Sequence, residues 1–219
     1  MGFLYIFIIN HKDINMRITK HLEFELAHCV RNTYSDRCSH SFHGHSYKVE
    51  ITLGGRIDNQ AGMVLDFGYF NKTIKPFIDS FDHSVAICGT DKKEVLEFFK
   101  RNNKRWSIWP INLSAEWMAV AIGAYVQEIL NHTNFHNGEM PIVDNVRVWE
   151  TRTGSATATM EDIDEYWKRE YFMNVKFSDG IIQDWPEDLK KILIRKDLVD
   201  YKSVPQQIEA PWCTLGTDK

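Results

Sequence analysis

From His43 the odd positions read His43, His45, Tyr47, Val49, Ile51 and Leu53, while the even ones read Gly44, Ser46, Lys48, Glu50 and Thr52. Residues i and i+2 share a face of a β-strand, so this alternation predicts a strand with one apolar and one polar face. Upstream, Phe24, Leu26 and His28 alternate with Glu23, Glu25 and Ala27, which predicts a second strand of the same kind. Asp66 can then cap a helix, and Phe67, Phe70, Ile74, Phe77, Ile78 and Phe81 follow at helical spacing. Pro76 inside that pattern predicts a kink or a break. Residues 88–112 hold charges, tryptophans and Pro110 without a sustained period, and read as an irregular insertion with a short helix near 92–101. Ser114 precedes a long amphipathic helix through Trp117, Val120, Ala121, Ala124, Tyr125 and Ile129. Residues 142–151 and 155–161 form a closing hairpin with Gly154 at the turn. The element order is two strands, two helices, two strands and a tail, an α+β arrangement.

The two ends behave differently. Phe3 to Ile9 is apolar but too short to span a membrane, and it lacks the flanks of a signal peptide. Residues 1–15 therefore read as an extension without catalytic content, such as an upstream start codon would add, or as a short extra strand. The tail, 162–219, contains Trp167, Tyr171, Trp185 and Trp212 and a helix-like stretch near 186–196. That is too aromatic for a disordered tail, and it is expected to pack on the core or on a neighbouring subunit. Residues 16–161 form the remaining domain.

Charge and cysteine content narrow the function classes. With 26 Lys+Arg against 30 Asp+Glu, direct nucleic-acid binding has no electrostatic support. The four cysteines at 29, 38, 88 and 213 include no Cys-x-x-Cys and suit a reducing cytoplasm.

Candidate chemistry sits on the apolar faces of the first two strands. His43 and His45 project beside residues that must be buried, and if the strands pair antiparallel, His28 reaches the same point. Three neutral imidazoles with an open fourth position are the pattern of catalytic zinc; the alternative is that one or two are core or surface histidines. Cys38, in the loop before His43, can swing toward such a site, whereas Cys29 should point to the opposite face. Cys88 and Cys213 have no partner pattern, and His40 remains unassigned. Asp82 can orient His83, although a histidine after a helix is also a common structural choice. Glu150 shares a face with Val146 and Val148. There it could grip a guanidine-like edge of a heterocycle or form an ordinary salt bridge.

Cys38 before His43-Gly44-His45, the earlier Ala27-His28, Gly62-Met63-Val64-Leu65-Asp66-Phe67, Asp82-His83, Ser114-Ala115-Glu116 and Glu150-Thr151 occur together in one order. Over residues 17–160 the chain resembles the 6-pyruvoyl-tetrahydropterin synthase / 6-carboxytetrahydropterin synthase family. The resemblance implies the tunnelling fold, a ββααββ unit with an antiparallel sheet and helices on one face. It also implies a homo-oligomer, a hexamer made of two trimers. It assigns His28, His43 and His45 to Zn2+, Cys38, Asp82 and His83 to catalysis, and Glu150 to the pterin, with Thr151 beside it. The implied substrate is 7,8-dihydroneopterin triphosphate, for whose phosphates Arg31, Arg37 and Lys48 are candidates; they could equally be solvated surface charges. The short segment from Cys38 to His43 resembles the 6-carboxytetrahydropterin branch, which releases acetaldehyde and leads toward 7-deazaguanine compounds such as queuosine. The 6-pyruvoyl branch keeps the side chain and is the alternative. A further family type replaces the thiol by glutamate, and Cys38 argues against it. Outside the enzyme class, a non-catalytic pterin-binding zinc module is the remaining reading.

Overall fold

The computed structural model describes residues 16–57, 62–135, 140–167 and 174–201. β1 (Met16–His28) and β2 (His43–Gly55) pair antiparallel along their whole length, from Met16 opposite Gly55 to His28 opposite His43. The two alternating runs demand this register. Leu22, Phe24 and Leu26 lie opposite Val49, Tyr47 and His45, and a slip of one residue would turn that apolar set to solvent. On the other face Glu23, Glu25, Ser46 and Lys48 are exposed.

Two long helices cover the apolar face. Asp66 caps α2 (Phe67–Asp79) by accepting from the Gly68 N–H, and Ser114 caps α4 (Ala115–Asn131) by accepting from the Trp117 N–H. α2 runs through Pro76 without a break, contrary to one of the two expectations for it. Thr73, Ile74, Phe77 and Ile78 are buried on both sides of the proline and hold the helix on the sheet. Packing there outweighs the missing N–H.

The insertion is more regular than its sequence suggests. β3 (Ser84–Cys88) runs parallel to β1, and β4 (Trp106–Trp109) runs parallel to β3, with α3 (Lys93–Asn102) crossing between them. The helix expected near 92–101 is present, and a βαβ unit replaces the irregular segment around it. β3 is buried throughout, so it shows no polar alternation and offers no period to read. Leu96 and Phe99 of α3 pack with Val85, Ile87 and Ile108, whereas Ala86 joins the main core. Alternate strand residues face opposite ways, so α3 lies on the other side of the sheet from α2 and α4.

β6 (Ile142–Trp149) pairs with β2, and β7 (Ser155–Thr159) pairs with β6, both antiparallel. The second strand ends earlier than its expected limit of 161. There the Asp162 carboxylate accepts from the Thr159 N–H and hydroxyl, which starts α5 (Met160–Trp167). In the tail, β8 (Lys176–Phe177) extends the sheet antiparallel to β4, giving the order β7-β6-β2-β1-β3-β4-β8. α6 (Asp179–Ile182) and α7 (Glu187–Lys190) follow, the latter continuing into a π-helical turn, Lys191–Arg195. β9 (Val199–Tyr201) pairs with β5 (Thr133–Phe135). Trp185 is only 3 % exposed and donates its indole N–H to Ser80 Oγ, while its ring meets Phe77 and Phe177. This part of the tail thus belongs to the core. Residues 1–15, Tyr171, Trp212 and Cys213, and the side chain of Trp167, lie outside the described residues. Among the described residues, no helix is long and apolar enough to cross a membrane.

Candidate metal and active site

The β1–β2 register sets His28 directly opposite His43, with His45 two residues along on the same face. One ring nitrogen from each of the three falls within 4.8 Å of the others. Two of the rings are tied by backbone carbonyls. His28 Nδ1 donates to Leu113 O at 2.9 Å, and His43 Nδ1 donates to Ser41 O at 2.9 Å. A carbonyl only accepts, so both rings carry their hydrogen on Nδ1 and keep the Nε2 lone pair free. Burial lowers the pKa of His45, against the opposing pull of Glu150, and so favours the neutral ring. Neutral, oriented imidazoles with satisfied outer nitrogens are the donor set a divalent metal requires. The three residues fit a metal ion.

Glu150 follows the end of β6 and reaches this cluster. Its Oε1 lies 3.3 Å from His28 Nε2 and 3.8 Å from His45 Nε2. When the His28 ring is protonated, this contact holds the Glu150 carboxyl below its ordinary range, against a desolvation that would raise it. Tyr47, on the same face of β2 as His43 and His45, places its hydroxyl 3.2 Å from His28 Nε2 and donates to Glu150 Oε1 at 3.3 Å. Burial first, and Glu150 second, push the phenol upward, so Tyr47 keeps its proton and serves as a donor. Thr151 is exposed, and its Oγ1 accepts from the Gly154 N–H. That contact gives Thr151 a turn-stabilising role.

Cys38 lies in α1 (Asp36–His40), a single short helical turn in the connection between the two strands, and is half-buried. It is not among the residues that converge on the shared metal position. Cys29 is buried, and its Sγ donates to the Cys38 and Ser39 carbonyls at 3.3 Å each, so it serves the backbone of this turn. His40 is occupied locally, with Nδ1 2.9 Å from Ser39 Oγ and 3.0 Å from Asp36 Oδ1. Of the candidate phosphate-binding cations, Arg31 is engaged by Asp91. Lys48 sits on the face of β2 away from the histidines and pairs with Glu23. Arg37 is exposed.

Asp82 and His83 lie in the turn between α2 and β3. His83 donates from Nδ1 to Asp82 Oδ2 at 2.8 Å, and Asp82 Oδ1 accepts from the Glu25 N–H at 2.7 Å. Partial burial would raise the Asp82 carboxyl, but the Glu25 N–H and the His83 ring together bring it below its usual value. The His83 backbone has φ 56°, a left-handed conformation held by its own N–H bond to Glu25 O at 2.8 Å. The imidazole side chain is 80 % exposed, whereas that of His28 is 1 % exposed. Within one chain the pair is presented outward and does not join the imidazole cluster.

The 6-pyruvoyl tetrahydropterin synthase family profile matches residues 17–161. The chain belongs to the 6-pyruvoyl tetrahydropterin synthase family. It is an enzyme of that family. The 6-carboxy-5,6,7,8-tetrahydropterin synthase of Helicobacter pylori (strain J99) is 35% identical over 174 residues, covering 78% of this chain and 86% of that protein. The protein of the same name from Aquifex aeolicus is 30% identical over 123 residues, covering 53% of this chain and 72% of its own. An uncharacterised protein from Wolinella succinogenes aligns with a TM-score of 0.50 at 20% identity, covering 66% of this chain and 98% of that one, and shows the fold alone. The family match ends where the aromatic tail begins. Two contributors to the imidazole cluster carry no signal in the sequence that would assign them there. Tyr47 was visible by its phase with His43 and His45, but a tyrosine on an apolar face reads as core. Leu113 contributes only a carbonyl, and no side-chain pattern signals that.

Proposed function

We propose that the protein is a zinc-dependent 6-carboxy-5,6,7,8-tetrahydropterin synthase. It would convert 7,8-dihydroneopterin triphosphate and water to 6-carboxytetrahydropterin, acetaldehyde and triphosphate, a step toward 7-deazaguanine compounds in the cytoplasm. The convergence of His28, His43 and His45 beside Glu150 carries this reading. Relatives that bear that name support the choice of product.

When bound, zinc supplies Lewis-acid polarisation of the substrate's side-chain hydroxyls. Glu150, held ionised and contacted by the Tyr47 hydroxyl, accepts N–H bonds from the 2-amino and N3 edge of the pterin and so fixes the ring. Cys38 acts as the base that removes a proton from the side chain. His83, aligned by Asp82, carries the second proton. Its outward presentation suits a homo-oligomer in which a neighbouring subunit supplies the rest of its site.

Incubating the zinc-loaded protein with 7,8-dihydroneopterin triphosphate should yield acetaldehyde and 6-carboxytetrahydropterin. The second reading, suggested by the name of the matching family, is triphosphate elimination to 6-pyruvoyl-tetrahydropterin. Pyruvoyl product without acetaldehyde would establish that alternative instead.

A further inference from the structure

The connection between β1 and β2 is the kind of exposed segment that is mobile by default. In this chain it is fastened by groups from far along the sequence. Arg31 is the hub. Its Nε and Nη2 donate to the two carboxylate oxygens of Asp91 at 2.7 and 3.1 Å, while Nη1 donates to the Ser39 carbonyl at 2.8 Å. The Phe42 ring lies 5.5 Å from the guanidinium. Asn112 holds the backbone of the same residue from both sides. Its Oδ1 accepts from the Arg31 N–H at 2.7 Å, and its Nδ2 donates to the Arg31 carbonyl at 2.6 Å. The Cys29 thiol and the Val30 N–H then bind the Cys38 carbonyl, at 3.3 and 3.1 Å.

These contacts converge on the backbone of residues 38 and 39. Ser39 and His40 bond to neighbours within the turn. Among the described residues the Cys38 thiol makes no hydrogen bond, so the network holds the backbone that carries the sulfur and does not engage the sulfur itself. Asp91 and Asn112 both come from the insertion between α2 and α4, and the Asp91 side chain is only 8 % exposed. A paired carboxylate in that setting gives a bidentate, charge-assisted contact, which fixes orientation as well as distance. Lysine could hold the charge but could not span Asp91 and Ser39 with a rigid fork.

We infer that Arg31, Asp91 and Asn112 are positioning residues for Cys38, and that the insertion acts as a brace setting the place of the thiol. This inference rests on the catalytic role proposed for Cys38. The fold explains less of the network, because the β1–β2 register is already fixed by its own ladder and core.

The test uses the full-length, zinc-loaded protein with Asp91→Asn, Arg31→Lys and the conservative Asp91→Glu. Amide hydrogen exchange over residues 29–41 and the pH dependence of Cys38 alkylation by iodoacetamide, read by peptide mapping, require no turnover. In Asp91→Asn and Arg31→Lys, exchange in this segment should rise by about tenfold, consistent with loss of one charge-assisted contact. The Cys38 alkylation profile should shift, metal content should stay unchanged, and kcat should fall with KM little altered. Asp91→Glu should recover part of each effect. Wild-type exchange and alkylation in both variants would overturn the inference, as would exchange raised equally across the whole chain. If Asp91→Asn does not fold, Arg31→Lys decides. Should the wild-type protein make no carboxypterin, the proposed function fails, while exchange and alkylation still test the brace.

Discussion

The His28–His43–His45 cluster and the Asp82–His83 pair use the same side chain in two different ways. In the cluster, the Nδ1 atoms of His28 and His43 donate to backbone carbonyls. A carbonyl fixes the tautomer and turns the free Nε2 lone pair toward its neighbours, which is what a metal ligand needs. In the pair, Nδ1 donates at a similar distance to a carboxylate. A carboxylate also supports a ring that takes up a proton, which is what an acid–base group needs. Exposure follows the same division, with the His28 side chain 1 % exposed and that of His83 80 % exposed. The anchor and the exposure, more than the histidine itself, separate ligand from proton carrier.

Removing His28 should break the first site most severely. His28→Ala is expected to lose bound zinc on dialysis and to cut turnover by at least about 10³-fold, since metal polarisation is worth several kcal/mol. Metal analysis beside steady-state rates checks this; full zinc retention would refute the ligand assignment. At the second site, His83→Ala should keep its zinc and lose about 10²–10⁴-fold in turnover, the range for a general acid or base. If two chains complete one active site, mixing Cys38→Ala with His83→Ala protein should restore part of the activity. Mixed samples no more active than either variant would show that each chain works with its own pair.

The sequence made the first site more legible than the second, for a physical reason. Strand phase is periodic, so the shared face of His28, His43 and His45 follows from counting residues, and the antiparallel register then brings them together. The outward turn of His83 has no such signature, because it depends on a left-handed backbone at one position and a hydrogen bond to Glu25. The insertion was hidden for a related reason. β3 is buried along its whole length, and a strand covered on both faces loses the alternation that would reveal it. Without β3 and β4, the partnership of Arg31 with Asp91 could not be foreseen, and Arg31 reads as a phosphate candidate or a solvated surface charge. The tail was legible only as aromatic content; the pairing of Trp185 with Ser80 depends on the tertiary fold.

Tyr47 offers a milder way to probe the buried site. Tyr47→Phe keeps the ring that stacks on Phe24 and removes only the hydroxyl near His28 and Glu150. The loss of one hydrogen bond to a charged group predicts an effect of about tenfold, seen mainly as a higher KM, with zinc content unchanged. An unchanged KM would mean that Glu150 is positioned without Tyr47.

The smallest effect is expected from the pH dependence of the exposed pair. The folded structure holds the Asp82 carboxyl below its ordinary value, so the ionised group contributes stability above the unfolded-state pKa of about 3.9. That contribution is lost as pH falls through the lower, folded value. Melting temperature should therefore drop more steeply on acidification below about pH 4 for the wild type than for Asp82→Asn, which has no proton to take up. Asp82 is partly exposed and its contacts are screened, so the difference should be small. Parallel acid limbs in the two proteins would show that the Glu25 and His83 contacts orient the carboxylate without stabilising the fold.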